Sequence, residues 1–189
     1  MTKLKIKDLV MMSISLAMII ICSKISIPIG PIPLTLQTFS VFIVALILGS
    51  FKSFIVFSLY IILGLLGLPV FSSGGGFQYI YMPSFGFIIG FLFSSIVVGF
   101  ASKSNKFYLK YILSIIGLLI INLCGVVYMY LILNLYKGLN KDFLYVIEVG
   151  VLPFIIKDFF VVILSCLIYS RIKAIIYKEE YNDPLISKS

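Results

Sequence analysis

The chain has 189 residues, 61% of them hydrophobic and 12% charged, which excludes an ordinary soluble domain and predicts an all-α integral membrane protein. The formal net charge is +8, but the basic residues form small groups at the ends of apolar runs, which favours a membrane rim and argues against a nucleic-acid partner. Histidine is absent, so histidine-based metal sites, serine–histidine triads and histidine proton relays are excluded.

The first predicted helix runs from about Leu9 to Ser23, after a basic N-terminal stretch, and Pro28 closes it. Ser13 and Ala17 are four residues apart and therefore share one face of this helix. Small side chains at this spacing let another helix approach closely within a bilayer, which predicts a packing face.

The segment from Pro28 to Gln37, with the sequence PIGPIPLTLQ, separates two long apolar runs. Proline has no N–H to donate and disfavours helical backbone at the preceding residue, so the three prolines predict an extended connector. Thr35 and Gln37 carry polar groups from this connector into the next apolar run.

The next two helices are predicted from about Leu34 to Gly49 and from about Phe54 to Leu66. A glycine loop, Gly74 to Gly76, follows and lets backbone approach backbone or ligand, because no Cβ intervenes. The chain has no GxxxxGK[ST] pattern, so a nucleotide-binding loop is excluded.

Three further helices are predicted, from about Pro83 to Gly99, from about Tyr111 to Leu135 and from about Leu144 to Ile175. Pro153 is expected to kink the last of these. A short polar tail begins at about Lys178.

The basic residues predict the orientation of these six transmembrane helices. With the N-terminus inside, the cytoplasmic loops and ends hold Lys3, Lys5, Lys7, Lys52, Lys103, Lys106, Lys110, Arg171, Lys173, Lys178 and Lys188. The outer side then holds Lys24, Lys137 and Lys141. Both termini are therefore expected in the cytoplasm, while the connector and the glycine loop share the outer face.

Lys157 and Asp158 lie between apolar segments of the sixth predicted helix, where ionisable side chains are costly and call for a functional hypothesis. Neighbours on a helix point about 100° apart, so we do not expect both to face one ligand unless Pro153 distorts the turn. The alternative is a structural pair, with Asp158 bonded inside the bundle and Lys157 reaching toward the interface.

Other side chains add polar and aromatic character to the outer half. Thr35, Gln37 and Asn122 can each hydrogen-bond a polar solute, and an apolar part can be enclosed by aromatic residues, namely Phe71, Phe77, Tyr79, Tyr81 and Phe87. This mixture suits a small amphipathic ligand. Equally, Thr and Asn side chains often bond between membrane helices without any ligand.

Three stretches together resemble the BioY family, the biotin-binding S components of energy-coupling factor (ECF) transporters, and the resemblance runs over almost the whole chain. The most specific match is PIGPIPLTLQT at residues 28–38. The second is GLLGLPVF at residues 64–71, followed by the glycine loop, and the third is Leu152-Pro153-Phe154 with Asp158 four residues beyond.

The resemblance implies one membrane-embedded substrate-binding domain over residues 1–189, with the S-component fold and neither a cofactor nor enzymatic activity. It implies biotin as the ligand, captured at the outer face and delivered inward with a transmembrane T component and two cytoplasmic ATPases. The family's alanine-rich first-helix motif, which contacts the T component, maps onto Ser13 and Ala17.

Several residues are expected to contact the ligand under this resemblance. Asp158 would accept a hydrogen bond from the ureido ring, with Gln37, Thr35 or Asn122 as further partners. The carboxylate would be received by Lys157 or by backbone N–H groups near Gly74, Gly75 and Gly76. The remaining expected contacts are Phe77, Ser84 and Phe87.

Two departures from the family pattern fall on expected ligand contacts. The family usually has a lysine three residues after the aspartate, whereas here Lys157 precedes Asp158 and Val161 takes that position. After the glycine loop, Ser84 and Phe85 stand where the family has Thr and Gly, and Phe85 is expected to narrow or reshape the pocket. These changes leave lipoate or a biotin precursor as alternative ligands.

Two alternatives lie outside transport, an intramembrane enzyme using Asp158 and a purely structural membrane partner. The absence of histidine, of a second aspartate paired within the membrane and of a Ser-Lys arrangement argues against the enzyme.

Overall fold

A computed structural model of the protein describes residues 5–30 and 32–182, with side chains described as far as residue 173. In these ranges the chain forms seven α-helices and one β-hairpin. Their order is α1 Ile6–Lys24, β1 Ser26–Ile29, β2 Ile32–Thr35, α2 Gln37–Leu48, α3 Ser50–Leu65, α4 Phe85–Gly99, α5 Phe107–Leu131, α6 Phe143–Gly150 and α7 Leu152–Asn182. Lys3, Pro31 and Lys188 lie outside the described residues, and the side chain of Lys178 is not described.

Short helical turns extend some of these elements. A 3-10 turn, Phe77–Tyr81, lies between α3 and α4, and a second, Phe100–Lys103, continues α4. A π-helical turn, Ile132–Tyr136, continues α5. The described part of the chain is therefore mainly helical, as predicted, with one hairpin besides.

The predicted extended connector is the β-hairpin. Its strands are antiparallel, and Pro28 lies opposite Pro33 in the register. Ile32 and Thr35 are buried, whereas the side chains of β1 are mostly exposed. The sequence predicted that the helix after the connector begins at about Leu34. Because Ile32–Thr35 is a strand, α2 begins at Gln37 instead.

The sixth predicted helix is two helices in the structure. The chain leaves the helical conformation at Val151, with φ −125° and ψ −50°, between α6 and α7. Pro153 is the second residue of α7, where its missing N–H removes no bond within the helix. The prediction that Pro153 kinks one continuous helix is therefore wrong, because the proline helps to begin a new one.

Close packing of α4 against α5 depends on two glycines one turn apart, Gly86 and Gly90. A Cβ at Gly90 would lie 2.8 Å from the Cα of Ile121, and one at Gly86 would collide with Tyr128. The absence of side chains therefore lets the two helices approach closely. This contact fixes the α4–α5 side of the main buried core.

Four helical segments in the described part of the chain are long and apolar enough to cross a membrane, judged by length and composition. They are Ile6–Lys24, Phe85–Lys103, Phe107–Tyr136 and Leu152–Lys173. Two shorter apolar helices, α2 and α3, have 12 and 16 residues. Together these segments indicate an integral membrane protein.

Candidate functional site

A cavity opens where the hairpin meets α2, α4, α5 and the start of α7. About 520 Å³ of space within it and its mouth is free of protein atoms. Its wall combines polar and apolar side chains, and consists of Ile32, Pro33, Thr35, Gln37, Thr38, Ser72, Tyr79, Ser84, Phe87, Ile88, Phe91, Ile121, Asn122, Gly150, Phe154, Lys157 and Asp158. A mostly apolar cleft with a few convergent polar groups is the usual form of a small-molecule site.

An ion pair between Lys157 and Asp158 forms the α7 side of this cavity. Nζ of Lys157 lies 2.8 Å from Oδ1 of Asp158, and it also donates to the backbone oxygen of Thr35 at 3.0 Å and to Oγ1 of Thr38 at 3.5 Å. Both residues therefore line one cavity, and whether they both face one ligand stays a prediction. The flexible stem of the lysine brings its ammonium back beside the aspartate, although the two Cα–Cβ bonds diverge.

The Asp158 carboxylate is buried, with 6% of the residue exposed. Despite the ion pair, its Oδ1 has no hydrogen-bond partner of suitable geometry among the described residues. A buried acceptor left in this state is costly, and a ligand N–H would satisfy it.

The hairpin and α2 side of the cavity, which Lys157 joins to α7 through the Thr35 oxygen, is a set of hydrogen bonds around Gln37. The Thr35 hydroxyl donates to Oε1 of Gln37 at 3.2 Å and accepts from the Gln37 backbone N–H at 3.3 Å. Nε2 of Gln37 donates to the hydroxyl of Tyr60 at 2.7 Å. All three side chains are buried. The protein itself therefore uses much of the hydrogen-bonding capacity on this side.

Asn122, Ser84 and Phe87 also reach the cavity wall, as the sequence predicted for a shared site. Phe87 packs against Gly125 of α5, where a Cβ would collide with its ring. Together with Thr35, Gln37, Lys157 and Asp158, the structure brings seven of the predicted ligand contacts around one cavity.

The other four predicted contacts, Gly74, Gly75, Gly76 and Phe77, are not part of this wall. Gly76 N–H donates to the backbone oxygen of Gly64 at 2.7 Å, and a Cβ at Gly75 would collide with the backbone of Leu68. The glycines thus let the loop pack on the end of α3. Their contact with a ligand stays a prediction.

The aromatic residues chosen from the sequence separate into different environments. Tyr79 lines the cavity, and its hydroxyl lies 3.2 Å from Oγ of Ser72. Phe71 is fully buried outside the wall, while Tyr81 stacks on Tyr136 at 4.6 Å between ring centroids. Phe77 is 66% exposed.

Phe85, expected from its sequence position to narrow or reshape the pocket, does not line the cavity. Its ring packs against those of Phe71, Tyr79 and Tyr128, with centroids 5.8 to 6.4 Å apart, and it is absent from the wall. Val161 is buried elsewhere in the core. Phe85 and Val161 therefore lie outside the cavity wall, whereas Ser84 and Lys157, the other residues of the two departures, are part of it.

Sequence reasoning missed several residues of the site or its support, among them Thr38, Phe154, Ser72 and Tyr60. Thr38 and Phe154 are the last residues of two stretches that resemble the family, so those stretches could have indicated them as site residues. Ser72 and Tyr60 gave no such signal, because their roles depend on contacts between distant elements.

Two further features concern metal binding and partner contact. Among the residues that the structure describes, no group of three or more His, Cys, Asp or Glu side chains is placed to hold a metal ion. Ser13 and Ala17 are both exposed on α1, and the Ser13 hydroxyl donates to the backbone oxygen of Leu9 at 3.0 Å. Because the helix satisfies that hydroxyl, the small-residue face is available to a neighbour.

Comparison with known proteins gives consistent matches. The family model described as "BioY family" matches residues 1–178. "Probable biotin transporter BioY" of Lysinibacillus sphaericus is 36% identical over 170 residues, covering 87% of this chain and 86% of that protein. "Biotin transporter BioY" of Thermotoga maritima is 35% identical over 169 residues, covering 88% and 96%.

A solved structure has the same fold. The crystal structure of the S-component for biotin from an ECF-type ABC transporter aligns with a TM-score of 0.79 and 26% identity. The alignment covers 89% of this chain and 92% of that one.

Proposed function

This chain belongs to the BioY family, and from that premise we propose that it is the substrate-binding S component of an ECF transporter that imports biotin. The observation that carries the proposal is the buried carboxylate of Asp158, which lines the cavity and whose Oδ1 has no hydrogen-bond partner among the described residues. The chain acts in transport and not as an enzyme.

The polar end of the cavity suits the ureido ring of biotin. A cyclic urea presents N–H donors beside a carbonyl acceptor, and the Lys157–Asp158 pair presents a donor 2.8 Å from an acceptor. Asp158 accepts from a ring N–H while Lys157 donates to the ring carbonyl, and Gln37, Thr35 or Asn122 supply the remaining polar contacts.

This arrangement changes the role first considered for Lys157. Its ammonium lies at the same end of the cavity as Asp158, so it cannot also reach a carboxylate at the far end of the valerate chain. We therefore assign the ligand carboxylate to backbone N–H groups near Gly74 to Gly76, of which those of Gly74 and Gly76 would have to leave the Phe71 and Gly64 oxygens that they now bond. Closure of the loop that carries them would bring them to the ligand.

The apolar parts of biotin require apolar walls, and the cavity supplies them. Phe87, Ile88, Phe91, Ile121 and Phe154 lie around its interior. They can enclose the thiophane ring and the valerate methylenes, which contribute to affinity by leaving water. Lipoate shares an apolar chain and a carboxylate but has no urea, so it would leave Asp158 unpaired.

The single domain of residues 1–189 is proposed to cross the membrane six times with both termini in the cytoplasm. α6 and α7 together make the sixth segment. α2 is only 12 residues long, about 18 Å, so the hairpin would supply the outer part of its crossing. The positive charges assigned to the inner side support this orientation.

The partner module is proposed to be a T component with two cytoplasmic ATPases. The exposed Ser13 and Ala17 on α1 provide the small-residue face that a helix of the T component would contact. Substrate is captured from outside, the loop closes over it, and reorientation of the whole subunit in its complex releases it inward.

Equilibrium binding of labelled biotin to the purified protein in nanodiscs tests this function. We expect a Kd of about micromolar or tighter, with competition by unlabelled biotin and by the precursor desthiobiotin, which retains the urea, but not by lipoate. Failure to bind biotin, with tight binding of lipoate, would exclude the proposal in favour of the alternative ligand.

A further inference from the structure

A hydrogen-bond chain leads away from the cavity into the protein core through Tyr60. Its hydroxyl accepts from Nε2 of Gln37 at 2.7 Å and donates to the backbone oxygen of Val70 at 3.1 Å. Tyr60 is fully buried on α3 and is not part of the cavity wall. It therefore acts on the site only through Gln37.

The direction of this chain follows from the chemistry of its end. Tyr60 donates its single hydroxyl hydrogen to the Val70 oxygen, which also accepts from Ser23. With its hydrogen on Val70, the Tyr60 oxygen faces Gln37 as an acceptor, and the side of the Gln37 amide that meets it is the NH₂ group. In this arrangement the opposite amide orientation would place two acceptor oxygens 2.7 Å apart.

The other side of the amide is fixed in turn. Oε1 of Gln37 lies next to Thr35, whose hydroxyl donates to it at 3.2 Å. Because both ends of the amide are held, the cavity meets a constant pattern, with the second N–H of Nε2 and the remaining lone pair of Oε1 unused by these bonds.

We propose that Tyr60 is a positioning residue for ligand recognition, because the chain from Val70 through Tyr60 holds the Gln37 amide in one orientation. Without the hydroxyl, the amide can rotate by half a turn, and it then presents a donor where the ligand meets an acceptor. The inference rests on the proposed function, since its effect is on the binding of biotin.

Tyr60→Phe tests the proposal, because it keeps the ring and removes only the hydroxyl. We expect the Kd for biotin to rise about tenfold, the usual effect of one buried hydrogen bond. The matched control is Ser95→Ala on α4. Ser95 is also fully buried and donates to the backbone oxygen of Leu92 at 2.7 Å, and it belongs neither to the cavity wall nor to the Gln37 hydrogen bonds. This control should lower the melting temperature and leave the Kd unchanged.

A double-mutant cycle separates positioning from general loss of structure. In a Gln37→Ala background, Tyr60→Phe should raise the Kd by less than twofold, because no amide remains to be oriented. Equal effects of Tyr60→Phe in both backgrounds would overturn the proposal. A wild-type protein that did not bind biotin would instead overturn the proposed function, so the two failures are distinguishable.

Hydrogen exchange of isotope-labelled glutamine side chains is a second measurement, and it does not require the Tyr60→Phe protein to fold. The chain contains two glutamines, Gln37 and Gln78, and Gln78 is exposed. The Gln37 side-chain protons, identified by their loss in Gln37→Ala, should be protected from exchange with D₂O, while those of Gln78 exchange quickly. Equal exchange of the two amides would overturn the proposal.

Discussion

The two polar sides of the cavity satisfy their hydrogen bonds in opposite ways. On the hairpin and α2 side, the Gln37 side chain is bonded at both ends, to Thr35 and to Tyr60. On the α7 side, Oδ1 of Asp158 has only a poorly directed ion pair with Lys157 among the described residues. One side is therefore arranged before any ligand arrives, whereas the other completes its hydrogen bonding with the ligand.

This difference indicates which side of the cavity should contribute mainly to ligand affinity and which mainly to stability and to a fixed side-chain orientation. A side whose bonds are internal contributes shape and constant orientation, and its loss should reduce stability as well as binding. A side with unused acceptor capacity gains most from the ligand itself, so changes there should affect binding most. Three substitutions test this contrast, beginning with the largest expected effect on affinity, and a fourth, outside the cavity, should leave affinity unchanged.

Asp158→Asn should have the largest effect, because it removes the charged acceptor while keeping the shape of the side chain. Hydrogen bonds to charged groups contribute about 1.5–3 kcal/mol, so the Kd for biotin should rise by about 10- to 100-fold. Glu148→Gln, an exposed acid on α6, is the control and should bind normally. An unchanged Kd in Asp158→Asn would show that the α7 side does not bind the ligand.

Lys157→Met should have a smaller effect, near tenfold on the Kd, because it keeps the apolar stem and removes the ammonium. The Lys157 side chain is 20% exposed, so water can replace part of its donation. Titration with labelled biotin measures the change, and the exposed Lys137→Met serves as the comparison. Tighter binding after Lys157→Met would contradict a donor role and indicate that the ammonium competes with the ligand.

Thr35→Val should raise the Kd only about threefold but should also destabilise the protein by about 1 kcal/mol, since it removes bonds that the protein makes with itself. The melting temperature of the ligand-free protein and the Kd are both measured. Ser73→Ala, at the exposed residue before the glycine loop, should change neither the melting temperature nor the Kd. A Thr35→Val protein that lost affinity without losing stability would erase the contrast between the two sides.

Ala17→Leu should leave the Kd unchanged, because α1 at this position is exposed and lies outside the cavity wall. It should weaken co-purification with the T component, since a bulky side chain prevents close helix approach. Ala17→Ser keeps the side chain small and should preserve assembly. If Ala17→Leu and Ala17→Ser co-purify equally well, the assignment of this face to the partner is wrong.

The sequence predicted most of the helical architecture because apolar runs and breaking residues are local signals. Four long apolar helical segments lie near their predicted places, and the proline-rich stretch is extended. The division at Val151 was not predictable in the same way. A proline within an apolar run can either kink a helix or begin one, and only the conformation of the preceding residue decides.

The candidate site was predictable where a residue was chemically unusual for its place. Asp158, Lys157 and Gln37 are polar groups in apolar runs, and all three line the cavity. The shared orientation of Lys157 and Asp158 was not predictable, because it depends on the path of a long flexible side chain. The role of Tyr60 was not predictable either, since its partner Val70 lies in the loop after α3.

The two facing prolines of the hairpin also protect its edges. In an antiparallel pair, hydrogen-bonded and non-bonded positions alternate, and two residues without N–H groups fit only a non-bonded position. The missing donors of Pro28 and Pro33 therefore fall on the outer edges of the two strands, in a hairpin that exposes Ile27 and Ile29. A strand from a neighbouring molecule finds no donor at the middle of either edge, which guards this apolar hairpin against edge-to-edge aggregation.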